Sequence, residues 1–65
     1  MKVYTETENG IKYIVIHYDT PATQKELIQA LDIIHKAEQC KVWYEIDGIK
    51  SFFYYKHGRI HKEAV

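Results

Sequence analysis

The chain has 65 residues, nine Lys and Arg against nine Asp and Glu, and a hydrophobic fraction of 46% that includes six tyrosines, two phenylalanines and one tryptophan. That length allows one domain, residues 1–65, with a thin margin of core stability, and the composition is too apolar and too balanced in charge for a disordered chain. The longest apolar runs, Tyr13 to Ile16 and Phe52 to Tyr55, fall far short of the ~20 residues a membrane-spanning helix needs. No apolar segment follows Lys2 to form a secretory signal, and a lone cysteine, Cys40, fits a reducing, cytoplasmic compartment.

Val3 to Thr7 and Ile11 to Tyr18 are β-rich runs separated by Glu8-Asn9-Gly10. Asn-Gly supplies the two positive φ angles of a type I′ hairpin turn. With Asn9 and Gly10 as the turn, Tyr4 faces Val15 and Val3 faces Ile16. Alternation then puts Val3, Ile14, Ile16 and Tyr18 on one side of the hairpin, and Tyr4, Tyr13, Val15 and His17 on the other.

Asp19-Thr20-Pro21 stops the second strand. Two helix starts compete: Thr20 before Pro21, and Thr23-Gln24-Lys25-Glu26, which has capping-box spacing. The helix is expected to begin at residue 21 or 24 and to run to about residue 38. Leu27, Ala30, Leu31, Ile34 and Ala37 recur at helical spacing as its buried stripe. Ile28 and Ile33 widen the apolar arc, which points to a helix sunk deeply into a curved sheet.

The β pattern returns at Lys41, with Asp47-Gly48 as a second hairpin turn. Its register sets Val42 against Phe53, Trp43 against Phe52 and Glu45 against Lys50, so an aromatic pair and a charge pair both align. His57-Gly58 is a weaker third turn that places Lys56 opposite Arg59 and Tyr55 opposite Ile60. The expectation is an α+β fold: a small antiparallel sheet of four or five strands, ββαββ with an optional short fifth strand, and one helix packed on one face.

One helix covers only one face of such a sheet. The more aliphatic set, Val3, Ile14, Ile16, Val42 and Phe53, suits the helix. The opposite face then shows Tyr4, Tyr13, Val15, His17, Trp43, Phe52 and Tyr54, too apolar for an idle solvent face. Charge is uneven as well: residues 1–33 carry a net of −2 and residues 34–65 a net of +2.

Two uses fit that face. Tyr4, Tyr13, His17, Trp43, Phe52 and Tyr54 have the composition of a protein-binding or homodimer surface, and a neutral 65-residue chain meets little charge barrier to self-association. Alternatively, Lys41, Lys50, Lys56, Arg59 and His61 interleave with Trp43, Phe52 and Tyr54, the combination that stacks bases and tracks phosphates of single-stranded nucleic acid. The lead reading is a small cytoplasmic regulator or inhibitor acting on a protein partner, itself homodimeric, with no membrane role.

No catalytic or metal constellation stands out. His57 and His61 lie four apart and Cys40 is a third donor, but the second cysteine of a structural zinc site is missing. Ser51 sits mid-strand without a triad, Cys40 reads as a small buried hydrophobe, and the three glycines all fall in turns. The expectation is a non-enzymatic protein without a cofactor.

Overall fold

Three two-residue turns organise most of the sheet. Asn9-Gly10, Asp47-Gly48 and His57-Gly58 each have positive φ at both positions, the backbone that closes a tight hairpin along the right-handed twist of its strands. In the computed structural model, which describes residues 1–64 and the side chains of residues 1–61, these turns join five strands and one helix. They are β1 (Lys2–Glu8), β2 (Ile11–Tyr18), α1 (Gln24–Lys36), β3 (Gln39–Ile46), β4 (Ile49–Lys56) and β5 (Arg59–Ala64), and the strands lie in the sheet in chain order. The α+β class and the ββαββ order with a fifth strand are as expected, and the first two hairpins take the expected registers, including Val3 with Ile16 and Trp43 with Phe52.

Two features of the sheet differ from expectation. It is mixed rather than wholly antiparallel, because β2 and β3 run parallel, pairing Ile14 with Cys40, Ile16 with Val42 and Tyr18 with Tyr44. The cause is the crossover: α1 carries the chain back along the sheet from the end of β2 to the start of β3, so β3 begins in the direction of β2. The third hairpin also contains a bulge between Tyr54 and Tyr55. Tyr55 pairs with Ile60 and Lys56 with Arg59, but Tyr54 pairs with Lys62, which leaves His61 without an opposite residue.

The helix uses the second of its two start signals. Thr23 is the N-cap: its hydroxyl oxygen accepts from the Glu26 amide at 3.2 Å, and Glu26 Oε1 accepts from the Thr23 amide at 3.0 Å. This reciprocal capping satisfies two amide groups at the helix start, and Thr20-Pro21 stays in the connection. The far end falls at Lys36 with Ala37 as C-cap, slightly short of the expected residue 38.

Ile16, Tyr18 and Cys40 from β2 and β3 meet Ala30, Ile34 and Ala37 beneath the helix, with Ile14, Val42, Tyr55 and Ile33 packed around them. The assignment of sheet faces holds. The depth of the helix does not: Leu27 is 51% exposed and Leu31 55%, and Ile28 is 62% exposed. The helix rests on Ala30 and Ile34, and its Leu27–Leu31 flank stands clear of the sheet. Val3, expected in the core, is also exposed, because β1 lies at the sheet edge beyond the helix.

The β4–β5 turn is tied to the end of α1. The His57 amide donates to the Glu38 carbonyl at 3.1 Å, and a Cβ added at Gly58 would lie 3.1 Å from His35 Nδ1. Gly58 has φ +78, and so does any replacement that keeps the turn. Gly48 has a similar φ of +77 but nothing within 4 Å of its would-be Cβ. Gly48→Ala is therefore expected to cost only the left-handed backbone penalty, about 1–2 kcal/mol. Gly58→Ala should cost more, because His35 must also move. Urea denaturation of the two variants side by side measures the difference.

The Glu26 carboxylate is held below its ordinary value of 4.5, first by the Thr23 backbone N–H and next by the Met1 amino group 3.0 Å away. A lowered folded value means this contribution is present above the unfolded value and is lost as pH falls through the folded one. The urea midpoint is expected to drop on acidification below about pH 4.5, and Glu26→Gln should flatten that part of the pH profile.

Candidate functional site

Strand alternation delivers one residue set to the sheet face turned away from α1. β1 supplies Tyr4, Glu6 and Glu8, β2 supplies Tyr13, Val15 and His17, β3 supplies Lys41 and Trp43, and β4 supplies Phe52 and Tyr54. No helix covers this face, yet Val15 is 0% exposed. The surrounding side chains bury it by lying across the strands and over one another.

A row of rings crosses the sheet. The His17 and Trp43 rings stack with centroids 3.7 Å apart and planes within 9°, and Trp43 continues onto Phe52 at 5.6 Å and 12°. Each step joins register partners, His17 with Trp43 across the parallel junction and Trp43 with Phe52 across the hairpin. Trp43 Nε1 donates to the Tyr4 hydroxyl at 3.2 Å, which fixes the indole from the β1 side. His17 Nε2 is buried with no hydrogen-bond partner among the described residues, so stacking alone orients that end of the imidazole. Tyr13 and Tyr54 form a second pair, edge to face at 5.6 Å.

Beside the row sits Lys41, a cation that the sequence alone makes a candidate for binding phosphates. Lys41 is only 9% exposed. Its Nζ lies 3.3 Å from Glu8 and 3.5 Å from Glu6, and sits 5.2 Å and 5.7 Å from the ring centroids of Phe52 and Tyr54. The Tyr54 hydroxyl donates to the same Glu8 carboxylate at 3.3 Å. Burial pushes the Lys41 ammonium towards neutrality, but the Glu8 hydrogen bond and the nearby charges outweigh it and hold it above the ordinary lysine value. Burial first, and the Glu8 charge after it, push the Tyr54 phenol up, although Lys41 pulls the other way.

The expected interaction residues are therefore brought together. Tyr4, Tyr13, His17, Trp43, Phe52 and Tyr54 form one connected surface, in which Tyr4 is exposed and the others are half-buried. The expected phosphate-binding set divides. Lys41 is committed to Glu6 and Glu8. Lys50 is exposed and lies 3.8 Å from Glu45. Lys56 and Arg59 are exposed strand partners beside the third turn. The bulge leaves exposed His61 without an opposite residue, and the Lys62 side chain lies outside the described residues.

The aromatic geometry also limits what the face can grip. Base stacking needs free ring faces. His17 and Trp43 cover each other, Trp43 and Phe52 overlap, and the Lys41 ammonium lies over Phe52. What this row presents outward is chiefly ring edges and a flat apolar rim. Cys40 lies fully buried on the opposite, helix-covered face, and burial pushes its thiol up to about 11. His57 and His61 are exposed at the third hairpin, so neither shares a cluster of three metal-ligating side chains with Cys40 among the described residues. No helix is long and apolar enough to cross a membrane among those residues.

Glu6 and Glu8 were the members of this site the sequence reading overlooked. The first hairpin register already put both on the Tyr4 and Tyr13 side. Only the parallel pairing of Val15 with Lys41 brings that acidic edge within reach of the cation.

No protein-family model matches the chain, and neither does any curated protein sequence or solved structure. Fold and face together define a class: a small α+β sheet protein bearing an ordered aromatic surface.

Lys41→Met is expected to lower stability by about 1–3 kcal/mol, the range for hydrogen bonds to charged groups, since it leaves Glu6 and Glu8 side by side without their cation. Lys50→Met, which breaks only an exposed contact, should stay within about 0.5 kcal/mol of the parent. Urea titrations followed by Trp43 fluorescence compare the two.

Proposed function

We propose that the chain is a non-enzymatic binding module that regulates or inhibits a protein partner by docking it on the open aromatic face. The observation that carries this reading is the locked row His17–Trp43–Phe52, pinned by Tyr4 at one side and flanked by the Lys41–Glu8–Tyr54 cluster. Rings already held in place lose little rotamer freedom on binding, and half-buried Trp and Tyr carry much of the affinity at protein interfaces. Ring edges with few free ring faces suit a protein surface better than stacked bases. Pairing with Glu6 and Glu8 withdraws Lys41, the cation nearest the rings, from phosphate binding. A cytoplasmic location belongs to the same reading and rests on the single cysteine.

The second reading, a single-stranded DNA- or RNA-binding regulator, rests on exposed Lys50, Lys56 and Arg59 beside Phe52 and Tyr54. Trp43 fluorescence separates the two. Titration with single-stranded oligonucleotides at low and high salt is expected to leave the emission unchanged, whereas salt-sensitive quenching would favour the second reading. In affinity capture from its own cells, the wild-type chain is expected to retain a protein partner that Trp43→Ser/Phe52→Ser loses, with the far-UV circular dichroism of the helix preserved. Equal capture by both chains would overturn the aromatic face as the docking surface.

A further inference from the structure

Most of the large apolar side chains left exposed lie on the helix side of the sheet. Of these, Leu27, Ile28 and Leu31 stand on the free flank of α1, and Ile49 and Ile60 project from the same sheet face beyond it. Between flank and strands runs an apolar groove of about 280 Å³, walled by Leu27 and floored by Val42, Tyr44, Ile46 and Phe53. That is near the lower end of the ~300–1,000 Å³ range of small-molecule sites, room for a few inserted side chains.

We infer that this groove is filled by a second copy of the chain, in a two-fold dimer whose α1 helices lie antiparallel. Three observations select that occupant. First, ridge and groove adjoin on one face: Leu27 and Leu31 are four residues apart, Ile28 and Leu31 three, so they form a continuous ridge beside the groove. A two-fold axis between them sets each ridge into the other copy's groove, the self-complementary arrangement of an isologous interface.

Second, charge fits the antiparallel orientation. Lys25 lies near the start of α1 and Asp32 two turns later, and seven residues bring both to nearly the same side of the helix, bordering the ridge. Asp32 lies 3.1 Å from Lys36 of its own helix, an exposed contact of little worth, and an antiparallel copy adds Lys25 of one chain to Asp32 of the other, twice. Third, the chain exposes 4780 Å², whereas a monomer of 7.7 kDa is expected to expose about 4,300 Å². The excess is summed over the whole surface, the aromatic face included, and is of the order that a covering partner removes. This dimer leaves the aromatic face free and does not depend on its proposed role.

Sedimentation equilibrium of the full chain at about 100 µM is expected to give twice the chain mass. Leu31→Glu and Ile28→Glu, at positions more than half exposed and so harmless to the fold, should each weaken the dimer about thirtyfold or more. Lys25→Glu should weaken it severalfold, and Lys25→Glu/Asp32→Lys should restore it. Trp43→Ser/Phe52→Ser should leave the mass unchanged. A monomeric parent overturns the inference, as does a dimer that survives both ridge substitutions or dissociates with the aromatic-face variant. Failure of the charge reversal to restore association overturns the antiparallel arrangement.

Discussion

A helix about 10–12 Å across has to serve a sheet whose five strands, at about 4.8 Å spacing, span roughly 19 Å. The distribution of burial follows from that mismatch. α1 seats itself over the parallel junction, where Ile16 and Cys40 become fully inaccessible. Positions on the same face but farther out, Val3 towards one edge and Ile49 and Ile60 towards the other, stay in solvent. Small residues at the contact, Ala30 and Ala37, let the helix approach closely, at the expense of breadth.

The uncovered face meets the same shortage by different means. Its large rings lean on one another across strand boundaries, and Lys41 lies between rings and carboxylates instead of reaching into water. A buried ammonium is tolerable only with its charge answered, and Glu6 and Glu8 answer it from two strands away. The result is a surface whose shape is set by its own contacts. The two faces thus differ in kind: one is ordered by its own contacts, and the other leaves a ridge and a groove unmatched.

Much of the fold could be read from local chemistry. Asn9-Gly10 and Asp47-Gly48 each specify a turn and, through it, a complete hairpin register, so the pairs from Val3–Ile16 to Glu45–Lys50 follow without long-range information. Thr23 and Glu26 announce the helix start in the same way. The features that escaped are those in which separate pieces meet. Nothing local states that β3 lies parallel to β2, and without that pairing Lys41 reads as a solvent-facing cation instead of the centre of an ion cluster. Helical spacing shows that Leu27, Ala30, Leu31 and Ile34 share an arc, but not which part of a wide arc finds the sheet. The bulge that displaces His61 is equally invisible, because Tyr54 and Tyr55 are both good strand residues in either register. Which rings share the uncovered face was legible, and their stacking order was not.

The single parallel junction has a consequence for how the chain reaches this structure. Every other strand contact joins neighbours across a two-residue turn and costs little loop entropy. Ile14 and Cys40 are 26 positions apart, and closing that loop is the one non-local step in the topology. Alignment of β2 with β3 and docking of α1 are the same event, since Ile16 and Cys40 are buried only when both have occurred. Parallel pairing of segments so far apart is the slow kind of contact to form, because the loop entropy is spent before the contacts repay it. That junction is the costly closure of the topology, with one tight hairpin before it in the chain and two after it.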